Sequence, residues 1–244
     1  MEPAAKLDAE AIVTTIAALS GRIDERFPGS GLSAVGHELL SVSRTTQQRA
    51  LEIARPRIGL RAGVAALLAV LIAVIVAAPI NASMPNSFAV SELVQVSEAA
   101  INLLVLIGGA VFFLVTVERR MRRAQVLAAV HELRGLAHVI DMHQLAKDPQ
   151  RILQPEYLVT PSSPVIAFDA FELSRYLDYC SEMFSLTGKL AALYGMQLDD
   201  PVIVAAVNDV ETLTTGLSRK VWQKIVLLHS RSRITDDRIA RVPN

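Results

Sequence analysis

The sequence predicts an all-α integral membrane protein, with a two-helix transmembrane hairpin and a cytoplasmic helical bundle. Three observations predict it. Two runs of 19 residues, 62–80 and 99–117, contain no charged side chain. Arginines crowd one flank of each run and are missing from the connection between them. Elsewhere apolar residues recur at steps of three and four, the period of an amphipathic helix, and no region is strand-rich.

Residues 1–57 read as a pair of cytoplasmic helices. Asp8 caps a helix whose apolar stripe is Ile12, Ile16, Leu19, Ile23 and Phe27, and Pro28-Gly29-Ser30-Gly31 breaks it. The second helix carries Leu32, Val35, Leu39, Val42 and Ile53 and ends near Pro56. Stripes this narrow suit antiparallel packing.

Residues 58–80 form the first span and 99–117 the second. The first run lacks even an amide or hydroxyl, and Asn102 and Thr116 alone interrupt the second. At 1.5 Å rise per residue, about 20 apolar residues match a hydrocarbon core about 30 Å thick. A buried helix of a soluble protein would show a polar face, and neither run has one. The run 62–80 is an anchor rather than a cleaved signal, because residues 1–10 carry Glu2, Asp8 and Glu10 against one lysine. Arg44, Arg49, Arg55, Arg57 and Arg61 precede the first span; Arg119, Arg120, Arg122 and Arg123 follow the second. The connection 81–98 has no Lys or Arg. The positive-inside rule then places both termini in the cytoplasm and the connection outside.

Ala65, Ala69, Ala73 and Ala77 recur every fourth residue, a ladder of small side chains that admits a close second helix. Gln95, Asn102, Gly109 and Thr116 fall seven apart and share a face of the second span. That face either packs on the alanine ladder or lines a narrow aqueous path in an oligomer. No Asp, Glu, Lys, Arg or His lies inside either run, which argues against a proton relay or an ion-coupled carrier.

Residues 118–147 contain no proline, so the second span continues as a cytoplasmic helical stalk. Val126, Ala129, Val130, Leu133, Leu136, Ala137 and Ile140 share one of its faces. Residues 148–167 hold Pro149, Pro155, Pro161 and Pro164 and read as an irregular linker. An αα-hairpin over 168–230 follows. Asp169 and Glu172 form a capping box ahead of a stripe of Leu173, Leu177, Cys180, Phe184, Thr187, Ala191 and Tyr194. After the turn at 195–199, Asp200 and Pro201 start a helix with Ile203, Val207, Val210, Thr214, Leu217, Val221, Ile225 and Leu228 on its stripe. Residues 231–244 are a basic tail. Arg219, Lys220, Lys224, Arg231, Arg233, Arg238 and Arg241 surround Trp222, a composition suited to anionic headgroups or to a solvated face.

Composition narrows the function classes. Lys plus Arg equals Asp plus Glu at 24 each among 244 residues, so the chain is not an overall basic nucleic-acid binder. Hydrophobic residues make up 52% and charged residues 20%, with a mean hydropathy of +0.38. A single cysteine, Cys180, excludes a disulfide framework and any multi-cysteine metal site; on its apolar stripe it reads as a buried, inert thiol. No cofactor or metal site and no catalytic constellation is read: Walker A, G-x-G-x-x-G, G-x-S-x-G and H-E-x-x-H patterns are all missing. Tyr194-Gly195-Met196 is similar to three of the four residues of the Tyr-Gly-Met-Asn signature of CorA-type magnesium channels. Gln197 takes the fourth place, far from either span, so nothing is carried over.

One polar constellation stands out. His131, Arg134, His138 and Asp141 lie on the stalk face opposite its apolar one, with His143 close by. It reads either as a hydrogen-bonded polar face or as a pH-sensing or metal site completed by a neighbouring subunit. The expectation is a non-enzymatic, membrane-anchored scaffold or regulatory protein of a bacterial inner membrane. Its partners would be the lipid bilayer, further copies of itself and a cytoplasmic protein, and not nucleic acid. The alternative is a small oligomeric pore lined by the Gln95/Asn102/Thr116 face.

Overall fold

A computed structural model of the chain describes residues 7–54, 90–153, 160–163, 167–196 and 200–239, together with 62, 63, 66, 69, 70 and 73. Of these, 90% are helical and none is in a strand. The elements are α1 (Ala9–Arg26), α2 (Gly31–Ala54), α3 (Val90–Leu145), α4 (Pro149–Leu153), α5 (Ala170–Gly195) and α6 (Pro201–Ile239). The chain divides into two compact units, residues 1–54 with 125–244, and residues 55–124.

The first unit is a helical bundle. The α1 helix starts where Asp8 accepts the Glu10 amide, and it stops at Phe27. Gly29 follows at φ +66°, a left-handed conformation in which a Cβ would be strained. Ser30 then accepts the Ser33 amide and opens α2. The capping box of α5 is complete: the Glu172 amide donates to Asp169, and the Asp169 amide donates to Glu172. Asp200 accepts the Val202 amide ahead of Pro201 and starts α6.

The stripes meet in one core. All of Ile12, Ile16, Leu19, Ile23 and Phe27 are buried, as are Leu32, Val35, Leu39 and Val42. The seven residues of the apolar face of α3, Val126, Ala129, Val130, Leu133, Leu136, Ala137 and Ile140, are buried with them. So are both stripes of the hairpin, including Cys180, Thr187 and Thr214. The α5 helix packs on α6 and against α1 and α2, while α4 touches α5 and α6.

The second unit contains the apolar part of α3. Among the described residues one helix is long and apolar enough to cross a membrane; its 18-residue window has mean hydropathy 2.5, and none of it is buried. Leu104, Leu106 and Phe112 are each at least 70% exposed. Most of the run 58–80, including Ala65 and Ala77, lies outside the described residues.

Three boundaries differ from those the sequence predicts. The helix of the second span starts ahead of residue 99, because α3 begins at Val90 within the connection 81–98; from there to Ile107 no proline or glycine interrupts helical hydrogen bonding. The linker 148–167 contains α4, where Asp148 accepts the Gln150 amide and Pro149 takes the first helical position, which needs no N–H. The tail from 231 is not separate from the hairpin, since α6 continues to Ile239.

Candidate functional site

The densest polar arrangement in the bundle surrounds the C-terminal turn of α3. A helix end leaves its last carbonyls without intrahelical donors, and a buried end must find them elsewhere. Here two other helices supply them. The Tyr176 hydroxyl of α5 donates to the His143 carbonyl at 3.3 Å. Lys224 of α6 donates through Nζ to the Gln144 carbonyl at 2.8 Å and to Gln144 Oε1 at 2.6 Å. Gln144, only 2% exposed, in turn donates through Nε2 to Asp141. Every polar group of the Gln144 side chain is thereby engaged.

An aromatic wall encloses this seat. Phe27, at the end of α1, lies 5.3 Å from Phe168 and 5.5 Å from Tyr176, centroid to centroid. Lys147 Nζ stands 4.6 Å from the Phe168 ring centroid and 5.5 Å from that of Tyr176, a cation beside two adjacent rings. At the start of α2, Gly31 leaves room for the imidazole of His143: a Cβ there would meet its Cε1 at 2.5 Å. The end of α3 is thus met by α2, α5 and α6.

Burial sets the electrostatics. Desolvation lowers the Lys224 ammonium from its usual range, with Asp148 and Asp141 opposing. Lys147 is lowered first by burial and then by nearby Arg151. The Cys180 thiol is pushed up to about 12 by its complete burial, which outweighs the pull of Lys224. That is the environment of an inert thiol, not of a thiolate nucleophile.

A second polar node joins α2 to α3. Arg49 pairs with Glu132 at 2.7 Å, and the Glu132 hydrogen bond holds the guanidinium above its usual value. Arg22 of α1 pairs with Glu182 of α5 at 2.6 Å. All four side chains are between 38% and 45% exposed, so each pair adds at most about 1 kcal/mol.

The residues singled out in the sequence fall in different places. His131, Arg134 and His138 are exposed, and no hydrogen bond or ion pair joins them to one another or to Asp141 among the described residues. Asp141 faces Gln144 instead of His138. No group of three or more His, Cys, Asp or Glu side chains placed to hold a metal occurs among the described residues. In the second unit Gln95, Asn102, Gly109 and Thr116 are all exposed, as are Ala69 and Ala73. Thr116 donates back to the Phe112 carbonyl at 2.8 Å, so its hydroxyl is satisfied within its own helix. Asn102 borders a shallow hollow of about 410 Å³ with Val94, Ser97, Glu98 and Ile101. The less exposed strip of α3 runs through Leu103, Ile107, Ala110, Leu114 and Val117, beside the Asn102 face rather than on it.

Gln144, Lys224, Lys147 and Tyr176 were not marked in the sequence as a site. One signal was available: Gln144 follows Ile140 by four, in register with the apolar face of α3, where an amide demands partners. Comparison with known proteins finds no matching family model, no matching curated protein and no matching solved structure.

Proposed function

We propose that this chain is a non-enzymatic, membrane-anchored helical protein that acts as an oligomeric scaffold or regulator. Two spans, 58–80 and 99–117, hold the bundle at the cytoplasmic face of a bacterial inner membrane, with both termini inside. A cytoplasmic protein and further copies of the chain are its partners. The observation that carries this reading is the composition of α3. One uninterrupted helix bears a bare apolar stretch and, further along, seven core residues and a seat of hydrogen bonds from two other helices. An element of that kind ties a lipid-embedded segment to a folded bundle through continuous chain. The arginine asymmetry around the two runs supports the orientation.

Cysteine labelling tests it. In a Cys180→Ala background, an impermeant maleimide applied to intact cells should modify Ser91→Cys and spare Ser230→Cys until the membrane is permeabilised. Labelling of both in intact cells overturns the orientation. Recovery of the full chain in the soluble fraction without detergent overturns the anchor. Ion flux through proteoliposomes that Asn102→Leu alters would replace the scaffold by the pore.

A further inference from the structure

A cleft of about 510 Å³ runs between α5 and α6, away from the seat of α3. Its floor is a close helix approach: Gly188 has no side chain, and a Cβ there would come 3.0 Å from Thr214 Oγ1. One wall is α5, with Ser185 and Lys189, whose Nζ donates to Ser185 Oγ at 2.6 Å. The other is α6, where Glu211, Thr215, Ser218 and Trp222 recur at steps of four, three and four and Arg219 follows Thr215 by four, so that they share a face. Two cations face one carboxylate, leaving the cleft positive. Neither Lys189 nor Arg219 is in an ion pair among the described residues. The Ser218 hydroxyl lies 2.7 Å from Ser181 Oγ, which fixes it at the rim. Beside the cations the Trp222 indole is 56% exposed, a large flat apolar surface left in water.

These groups suit one chemical class. A guanidinium fork and an ammonium, with hydroxyl donors between them, match the oxygens of a phosphate. An exposed indole next to them matches an apolar or aromatic body attached to that phosphate. We propose that the α5–α6 cleft binds a phosphate ester, with Lys189 and Arg219 on the phosphate and Trp222 against the remainder. A phospholipid headgroup and a soluble organic phosphate share that chemistry.

Trp222 is the one tryptophan in the chain, so its emission reports the cleft directly. The full-length protein in a non-ionic detergent is titrated with phenyl phosphate and with dihexanoyl phosphatidylglycerol, each at constant ionic strength. The expected result is a saturable change in emission. Arg219→Gln and Lys189→Gln should each raise the half-saturating concentration about tenfold or more with helicity by circular dichroism unchanged, and Glu211→Gln should lower it. A response to both probes supports a site open to phosphate esters in general. A response to phosphatidylglycerol alone assigns the ligand to lipid, and one to phenyl phosphate alone to a soluble ester. No saturable response to either probe overturns the proposal. So does a response left unchanged by Arg219→Gln, Lys189→Gln and Glu211→Gln alike.

Discussion

Lys224 carries two opposing effects. Its half-burial penalises the ammonium, while the Gln144 carbonyl and side-chain oxygen accept from it. Replacing it by Met removes the penalty but strands the Gln144 side-chain oxygen, on a side chain 2% exposed, while the Gln144 carbonyl keeps the Lys147 amide at 3.1 Å. An unsatisfied buried acceptor costs about 1–3 kcal/mol, so Lys224→Met should destabilise the bundle by about that amount, seen as a lower thermal midpoint by circular dichroism in detergent. A pH effect follows with a definite sign. Burial lowers the folded-state value below the ordinary 10.5, so the unfolded chain binds the proton more tightly. The penalty is fully present below the folded value and is relieved as the pH rises toward 10.5, which makes stability climb across that window. Lys147 adds a contribution of the same sign. Lys224→Met should flatten the climb, and an unaltered slope would show that Lys224 is not desolvated. This pair also marks what a sequence discloses about a site. Gln144 was legible as an amide in an apolar register, whereas Lys224 sits beside the stripe residue Ile225 and looks solvated. Only the packing of α6 on the end of α3 gives it a buried partner.

At the scale of the element, local chemistry decided most boundaries and was readable. The stripes of α1, α2, α5 and α6 follow helical periodicity, and the starts of α1, α5 and α6 at Asp8, Asp169 and Asp200 follow capping. Asp169→Ala should cost about 1 kcal/mol by removing one half of the capping box, and Asp169→Asn should retain most of it, as read from thermal midpoints. Gly29→Ala forces a Cβ into a left-handed turn and should cost about 1–2 kcal/mol between α1 and α2. Gly31→Ala is a different case: its Cβ meets the imidazole of His143, which can swing aside, so the shift should appear in the His143 ring resonances before it appears in stability. The short helix α4 was not legible, because four prolines within 148–167 suggest irregular chain. A proline at the first helical position starts a turn as readily as it breaks one, and a five-residue helix has too few residues for periodicity to show.

For the whole molecule the governing quantity is the solvent around the apolar half of α3. Ile101, Leu104, Leu106, Phe112 and Phe113 are between 62% and 74% exposed. In water such a contiguous surface drives aggregation; in hydrocarbon it is the favourable state. Charge distinguishes the two environments. Leu106 lies near the middle of the run 99–117, where an arginine costs about 2.5–3.5 kcal/mol for insertion into a bilayer. Leu106→Arg should therefore reduce the membrane-inserted fraction in a glycosylation-mapped insertion assay of the 99–117 segment, and Leu106→Phe should leave it unchanged. If the same stretch faced water, the arginine would instead improve solubility, and the full-length variant would move into the supernatant with no loss of yield relative to the parent. Arg120, just beyond the run, supplies the internal control: Arg120→Leu leaves the core hydropathy as it was but weakens the arginine flank on which the proposed orientation rests, so on that proposal it should shift the cysteine-labelling pattern while insertion persists. A bilayer thus requires lost insertion when charge is added at 106 and retained insertion with altered labelling when charge is removed at 120, whereas a water-exposed helix gives neither change.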